Sequence, residues 1–145
     1  MKRLLQFTCW ACSLVTAHLA DANAPACRYA LSNGTVHDTR TNLTWQQALD
    51  PRSFSVSEAV AYCSGLALDG GGWRLPKISE LASIADRTQS NPAIDLNAFP
   101  GTPSEAFWSS SPSAATENYS WSFSFVFGGP GTRYSGERCR VRCVR

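Results

Sequence analysis

The chain closes with Glu137-Arg138-Cys139-Arg140-Val141-Arg142-Cys143-Val144-Arg145, in which arginine alternates with cysteine or valine. In an extended strand, successive side chains point to opposite faces of the sheet. The alternation therefore predicts a final strand over residues 133–144, with its two cysteines and Val141 turned inward. The side chains turned outward are three arginines: Arg138, Arg140 and Arg142.

The first 22 residues are typical of an export signal. Two basic residues precede a largely apolar stretch over residues 4–19, and Ala20-Asp21-Ala22 offers the small residues at which such signals are cleaved. Polar side chains interrupt the apolar stretch, which is shorter than the ~20 residues that a membrane-spanning helix needs. We therefore expect a signal peptide at residues 1–22 and a single domain at residues 23–145.

The mature protein is expected outside the cytoplasm, either secreted, periplasmic or at the cell surface. Ala24-Pro25-Ala26-Cys27 departs from a lipid-attachment box, so we expect neither a lipoprotein nor a transmembrane helix after cleavage. The chain has 13 basic and 11 acidic residues, and removal of the signal leaves 11 and 10. A nearly balanced charge in an exported protein argues against nucleic acid as its partner.

Cysteine spacing restricts how this domain is cross-linked. Four of the six cysteines remain after cleavage, and an even number in an oxidising compartment favours two disulfides over metal ligation. On one strand, Cys139 and Cys143 would lie ~13 Å apart, which exceeds the ~7 Å limit for a direct bridge. Each must therefore pair with either Cys27 or Cys63, and both arrangements remain open.

Several stretches predict antiparallel strands. Asn33-Gly34 is typical of a tight turn between two strands, and residues 42–46 alternate so that Trp45 is buried. Two later strands are expected over residues 107–110 and 119–127. In the second of these, one face is aromatic: Trp121, Phe123, Phe125 and Phe127.

Two short helices are predicted between these strands. Ser55 and Glu58 form a capping box at the start of a helix over residues 56–68, with Cys63 turned toward the core. A second helix is expected over residues 78–86. The fold class is therefore α+β, with antiparallel strands, two short helices and two disulfides.

A long connection over residues 87–106 shows no helical or strand period and is typical of a loop. Three apolar side chains are expected to anchor it in the core: Ile94, Leu96 and Phe99. Loops of this length often carry binding sites, so residues 91–104 are also a candidate contact region.

Few residues suit catalysis. His37 is the only imidazole after the signal, and we expect a structural role for it on its short strand. The acidic residues are scattered, and Asp95 with Asn97 is only a weak calcium pattern. We therefore expect no enzyme, no metal site and no cofactor.

The terminal arginines have two interpretations. Guanidinium groups spaced ~6.7 Å apart along a strand can bind sulfate, phosphate or carboxylate bidentately. Alternatively, they form a solvated strand face that Glu137 partly neutralises. The first interpretation makes four residues the candidate ligand-binding set: Arg133, Arg138, Arg140 and Arg142.

Motifs along nearly the whole domain resemble the Lcl C-terminal domain family, a bacterial domain of unknown function. They include Asn33-Gly34-Thr35-Val36-His37-Asp38, Trp73-Arg74-Leu75-Pro76, Phe107-Trp108-Ser109-Ser110 and the ending Val141-Arg142-Cys143-Val144-Arg145. The resemblance implies a C-type-lectin-like fold and association with adhesion and with binding of sulfated polysaccharide. These expectations rest on analogy between folds.

The resemblance also implies how the cysteines pair: Cys63 with Cys143 and Cys27 with Cys139. One departure is Lys77, which stands where the family usually has a helix-capping threonine. The motifs of calcium-dependent lectins are missing, so calcium-mediated sugar recognition is not expected.

Two functional hypotheses follow. The favoured one is a non-catalytic, secreted bacterial binding or adhesion module that recognises an anionic, sulfated polysaccharide or a cell-surface protein. The alternative is a structural subunit that docks onto a cell-envelope or surface protein assembly.

Overall fold

The computed structural model describes residues 28–145, so the expected signal peptide and Cys27 lie outside the described part of the chain. Residues 28–145 form two three-stranded antiparallel sheets, two α-helices and one 3-10 helix. This arrangement confirms the α+β class that the sequence predicts. Within this range, no helix is both long and apolar enough to cross a membrane.

The first sheet is a meander of β1 (Tyr29–Ser32), β2 (Thr35–Asp38) and β3 (Leu43–Gln46). The turn between β1 and β2 is the predicted one, because Asn33 and Gly34 have φ angles of 47° and 77°. Val36 lies opposite Trp45 in the ladder, and both side chains are fully buried. The face with these two residues packs on the core.

A buried ion pair closes one end of this sheet. Asp38 is fully buried and accepts hydrogen bonds from Arg28 Nη2 at 2.7 Å and from Thr41 Oγ1 at 2.9 Å. Burial by itself would raise the pKa of Asp38, but these hydrogen bonds and one from the Arg40 backbone outweigh it and lower that pKa. The carboxylate is therefore stabilised in its charged form.

We expect Asp38→Asn to lower the free energy of unfolding by about 2 kcal/mol at pH 7, because charge-assisted hydrogen bonds are lost. The pKa of Asp38 is lower in the folded chain, so its contribution is present above the unfolded pKa and is lost as the pH falls through the folded value. Urea unfolding at pH 7 and at about pH 2.5 measures this difference. The difference in unfolding free energy between parent and variant should be smaller at the lower pH. A difference that does not change with pH would contradict the stabilising role of the charged Asp38 carboxylate.

The helices are shorter than the sequence pattern predicts. The first, α1 (Val56–Ser64), begins with the predicted capping box of Ser55 and Glu58 and ends at Gly65, after which a 3-10 helix forms over Leu68–Gly70. In the second, α2 (Ile78–Ser83), the Lys77 side chain accepts no hydrogen bond from the first turn, as expected at that departure from the family. Instead, the Ile78 backbone N–H donates to Ser111 Oγ at 3.1 Å.

The second sheet contains β4 (Ala106–Pro112), β5 (Tyr119–Ser124) and β6 (Gly129–Tyr134), in that order. Phe123 and Phe125, two of the four aromatic residues predicted to share one face, are fully buried. The expectation that Phe127 shares their face is wrong, because β5 ends at Ser124 and Phe127 is 71% exposed. The chain turns here through Gly128, whose φ is 72°.

The final segment is not the regular strand predicted over residues 133–144. Residues 139–144 instead form single bridges to several partners: Phe54 with Cys139, Phe107 with Arg140, and both Trp45 and Arg74 with Val144. Residues 141–144 are all buried, so protein covers both faces of this segment. Consequently, alternation along it does not separate a buried face from an exposed one.

The C-terminal segment also joins the two parts of the core. Val144 belongs to one buried cluster with Trp45 and Phe99, whereas Val141 belongs to another that contains Trp108. In the long connection, Ile94 and Phe99 are buried as expected. The expectation for Leu96 is wrong, because its side chain is 47% exposed.

A disulfide between Cys63 and Cys143 connects α1 to the C-terminal segment. This confirms one of the two expected pairings. Cys139 is buried and has no disulfide partner within residues 28–145. Because Cys27 lies outside that range, its pairing with Cys139 stays a prediction.

Candidate functional site

The arginines predicted to form one outward row occupy different environments. Arg142 is fully buried, Arg140 is mostly buried, and Arg138 is exposed. The reason is the irregular C-terminal segment, which has protein on both sides. Of the three, only Arg138 retains the exposure that a ligand contact requires.

Arg142 is a structural residue, which corrects its assignment to a ligand site. Its Nη1 donates to the carbonyls of Gln46 and Gln47 at 2.7 and 2.8 Å, and its Nη2 donates to Thr102 Oγ1 at 2.6 Å. The guanidinium carbon lies 4.7 Å from the centre of the Phe99 ring. Arg142 thus ties β3 to the long connection.

No carboxylate within residues 28–145 forms an ion pair with Arg142, and burial lowers its pKa to about 9. The group therefore stays charged at neutral pH. Neutral acceptors and the face of Phe99 stabilise this charge. Its Nε has no hydrogen-bond partner in the described part of the chain.

Arg140 is also held by the protein. Its side chain is 16% exposed, and its Nη1 donates to the carbonyls of Pro51 and Arg52. Its Nε lies 3.9 Å from Glu105 Oε2. These contacts fasten the C-terminal segment to the loop before α1, so Arg140 is not a free anion-binding group.

Arg138 lies instead in a surface groove beside α1. We call this the α1 groove; it encloses about 290 Å³ and is lined by Arg52, Ser53, Phe54, Glu58, Ala61, Tyr62 and Arg138. The side chains of Arg52 and Arg138 are 68% and 59% exposed. Two guanidinium groups therefore border one groove, although only one of them was predicted.

Each cation of the α1 groove has an acidic neighbour. Arg138 Nη1 lies 3.2 Å from Glu58 Oε2, and Arg52 Nη2 lies 2.8 Å from Asp50 Oδ2. Hydrogen bonds from the Arg52 side chain and backbone lower the pKa of Asp50 to about 2. Hydrogen bonds from the Ser55 backbone and side chain are the main reason that the pKa of Glu58 is lowered.

Aromatic rings shape the groove beneath these charges. The Arg52 guanidinium carbon lies 5.1 Å from the centre of the Phe54 ring, and this ring packs 4.9 Å from that of Tyr62. The Tyr62 hydroxyl accepts a hydrogen bond from Gln46 Nε2 at 2.9 Å. These contacts hold the wall of the groove in place.

The fourth candidate, Arg133, lies on β6, where its side chain is 46% exposed. Its Nη1 lies 3.2 Å from Glu137 Oε2, and the Glu137 side chain is 49% exposed. Arg133 is therefore accessible, but a carboxylate neutralises it. It lines a different groove from the one that contains Arg138.

The remaining candidates are not assembled into a reactive site. His37 Nδ1 lies 3.3 Å from Thr44 Oγ1 on the neighbouring strand. Asp95 Oδ1 accepts a hydrogen bond from the Asn97 backbone at 2.9 Å. Residues 28–145 contain no group of three or more histidine, cysteine or acidic side chains placed to hold a metal ion.

Sequence reasoning missed Arg52 and Tyr62 as groove residues. Arg52 lies in the irregular stretch before α1, where no periodic pattern predicts which side chains meet. It lines the same groove as Arg138 because Phe54 pairs with Cys139, the residue that follows Arg138. This contact joins segments 85 residues apart, and local sequence patterns carry no signal for it.

The family model described as the Lcl C-terminal domain matches residues 34–145, which is most of the chain. No curated protein matches the sequence.

Proposed function

The chain belongs to the Lcl C-terminal domain family, and we propose that it is a non-catalytic binding or adhesion module that recognises an anionic, sulfated polysaccharide outside the cytoplasm. The observation that carries this proposal is the pair of exposed guanidinium groups, Arg52 and Arg138, on one groove beside α1. Guanidinium binds sulfate and carboxylate groups bidentately.

The existing ion pairs do not prevent such binding. Glu58 and Arg138 are both about half exposed, and exposed ion pairs contribute only about 0–1 kcal/mol. A sulfate that approaches Arg138 can therefore replace a weak contact rather than break a buried one. The Arg52 side chain is 68% exposed, whereas the Asp50 side chain is only 17% exposed, so a sulfate would bind Arg52 beside its ion pair rather than replace Asp50.

The groove also limits how the two cations move. Arg138 Nη2 donates to the Ser53 carbonyl at 2.6 Å, and Arg52 lies over the Phe54 ring. These contacts reduce the side-chain entropy that is lost when a ligand binds. The cations are thus partly preorganised, and each keeps N–H groups directed to solvent.

Two finer features of the fold remain part of this proposal. A C-type-lectin-like arrangement is supported by the Cys63–Cys143 bridge between α1 and the C-terminal segment. The second feature is a further disulfide, between Cys27 and Cys139.

The test compares binding of the oxidised, mature protein to immobilised heparin with that of two variants. Arg52→Ser combined with Arg138→Ser removes both groove cations. Arg74→Ser combined with Arg87→Ser removes the same net charge from exposed arginines that do not line the groove. We expect the parent to be retained at ~0.05 M salt and released by ~0.3 M, because salt screens exposed charges.

The groove variant should elute at clearly lower salt than the parent, whereas the charge-matched control should behave nearly like the parent. Equal losses in both variants would indicate a net-charge effect and would contradict the groove assignment. Absence of retention by the parent would overturn the polyanion proposal and leave docking onto a protein assembly as the better hypothesis. Arg140 and Arg142 are unsuitable for this test because their substitution would disturb the fold.

A further inference from the structure

A second groove crosses the outer face of the second sheet. We call it the β6 groove; it encloses about 490 Å³, within the range of about 300–1,000 Å³ found for small-ligand sites. Its floor consists of small residues that lie opposite each other in the ladder. These are Ser122 opposite Gly131 and Ser124 opposite Gly129.

The glycines make this floor deep. A Cβ atom added to Gly131 would meet no atom within 4 Å, so the position faces open space. At Gly129, an added Cβ would lie 3.2 Å from the Phe127 ring. Glycine therefore allows the Phe127 ring to pack against the floor, and 71% of that side chain remains exposed.

The rest of the groove presents polar groups of both signs. Arg133 and Glu137 form an exposed ion pair at 3.2 Å on its lining. Ser122 Oγ donates to the Gly131 carbonyl at 3.3 Å and keeps its acceptor capacity. The lining thus combines one aromatic surface, a neutralised charge pair and serine hydroxyls.

We infer that the β6 groove binds a pyranose ring of an uncharged saccharide. The apolar C–H face of such a ring can stack on Phe127, since aromatic faces attract partially positive hydrogens. Its hydroxyl groups can donate to Glu137 and accept from Arg133 at the same time. Because these two charges cancel, the groove has no net charge that would favour an anion.

A polypeptide strand is a poorer occupant. β6 is an edge strand, and edge strands can recruit a further strand by backbone hydrogen bonding. However, Pro130 lies within β6 and lacks an N–H group, which disfavours such pairing. The groove also lies on the face of the sheet rather than along its edge. A compact polyol suits this geometry better.

This inference does not depend on the polyanion site. It uses another groove, another set of residues and an uncharged ligand. Arg52 and Arg138 do not line the β6 groove, so the two proposals can fail separately.

The test is a titration of the isotopically labelled mature protein with maltohexaose, cellohexaose and mannohexaose, followed by backbone amide chemical shifts. We expect saturable shifts centred on Ser122, Gly129 and Gly131 with at least one of the three. A Cβ at position 131 meets no atom within 4 Å, so the leucine of a Gly131→Leu variant should occupy the open floor and abolish these shifts. Phe127→Ala should weaken binding roughly fivefold through loss of the stacking surface.

Thermal melting shows whether both variants remain folded. Phe127→Ala should affect stability less than Gly131→Leu, because the Phe127 side chain is exposed. Arg52→Ser with Arg138→Ser should leave the oligosaccharide shifts unchanged, and Gly131→Leu should leave heparin retention unchanged. The proposal would be overturned if none of the three oligosaccharides produced shifts in the groove, or if folded Gly131→Leu bound as well as the parent.

Discussion

Replacing both Cys63 and Cys143 with alanine is expected to lower the free energy of unfolding by about 4 kcal/mol. The bridge closes a loop with a sequence separation of 80 residues, and in the chain-entropy description a long loop restricts the unfolded chain strongly. Both sulfurs are also buried in the core cluster that contains Trp108. The midpoint of urea unfolding should fall by about 2 M.

The reduced parent is the appropriate control when the double variant is reduced as well, because neither protein then has a disulfide and the two differ only in the side chains at positions 63 and 143. Its unfolding midpoint should approach that of the double variant. If the double variant unfolds at the same urea concentration as the oxidised parent, the bridge does not contribute as proposed. The measurement is tryptophan fluorescence, since Trp108 and Trp73 are both buried near the bridge.

Arg142→Ala is expected to lower the free energy of unfolding by about 3–5 kcal/mol. The substitution leaves the carbonyls of Gln46 and Gln47 and the Thr102 hydroxyl without their buried donor, and it opens a cavity against Phe99. Part of this loss is offset, because a charge without a carboxylate partner is no longer buried.

Two further variants separate these contributions. Arg142→Met keeps most of the side-chain volume and removes the charge, so it should be less destabilising than Arg142→Ala. Arg138→Ala removes an exposed guanidinium from the same segment and should change stability by less than about 1 kcal/mol. Urea unfolding of all three variants tests this order of destabilisation. Equal effects of Arg142→Ala and Arg138→Ala would contradict the structural role of Arg142.

The buried arginine bears on how a polyanion can be recognised. Arg142 holds β3, Thr102 and the C-terminal segment together, so its charge is unavailable to a ligand. The proposed recognition must therefore depend on cations that are themselves exposed, as Arg52 and Arg138 are. Arginine in this segment thus has two uses, since one group stabilises the fold and another faces solvent.

Local pattern predicted the elements whose stability comes from near neighbours. The Asn33-Gly34 turn and the Ser55–Glu58 capping box form as expected, because each depends on residues that are adjacent or three apart. Burial of Trp45 and Phe123 also follows from alternation in regular strands with one face on the core. Resemblance to a family further implied the Cys63–Cys143 pairing, which the structure contains.

The positions of the arginines were decided by tertiary structure alone. The sequence established that guanidinium groups alternate with cysteine and valine near the C-terminus. Alternation predicts exposure only where one face of a strand meets solvent, and this segment pairs with Trp45 and Arg74 as well as with Phe54 and Phe107. Residues 141–144 are all buried, so protein covers both faces there and Arg142 is inaccessible, whereas Arg138 and Arg52 line one groove because segments far apart in the chain come together.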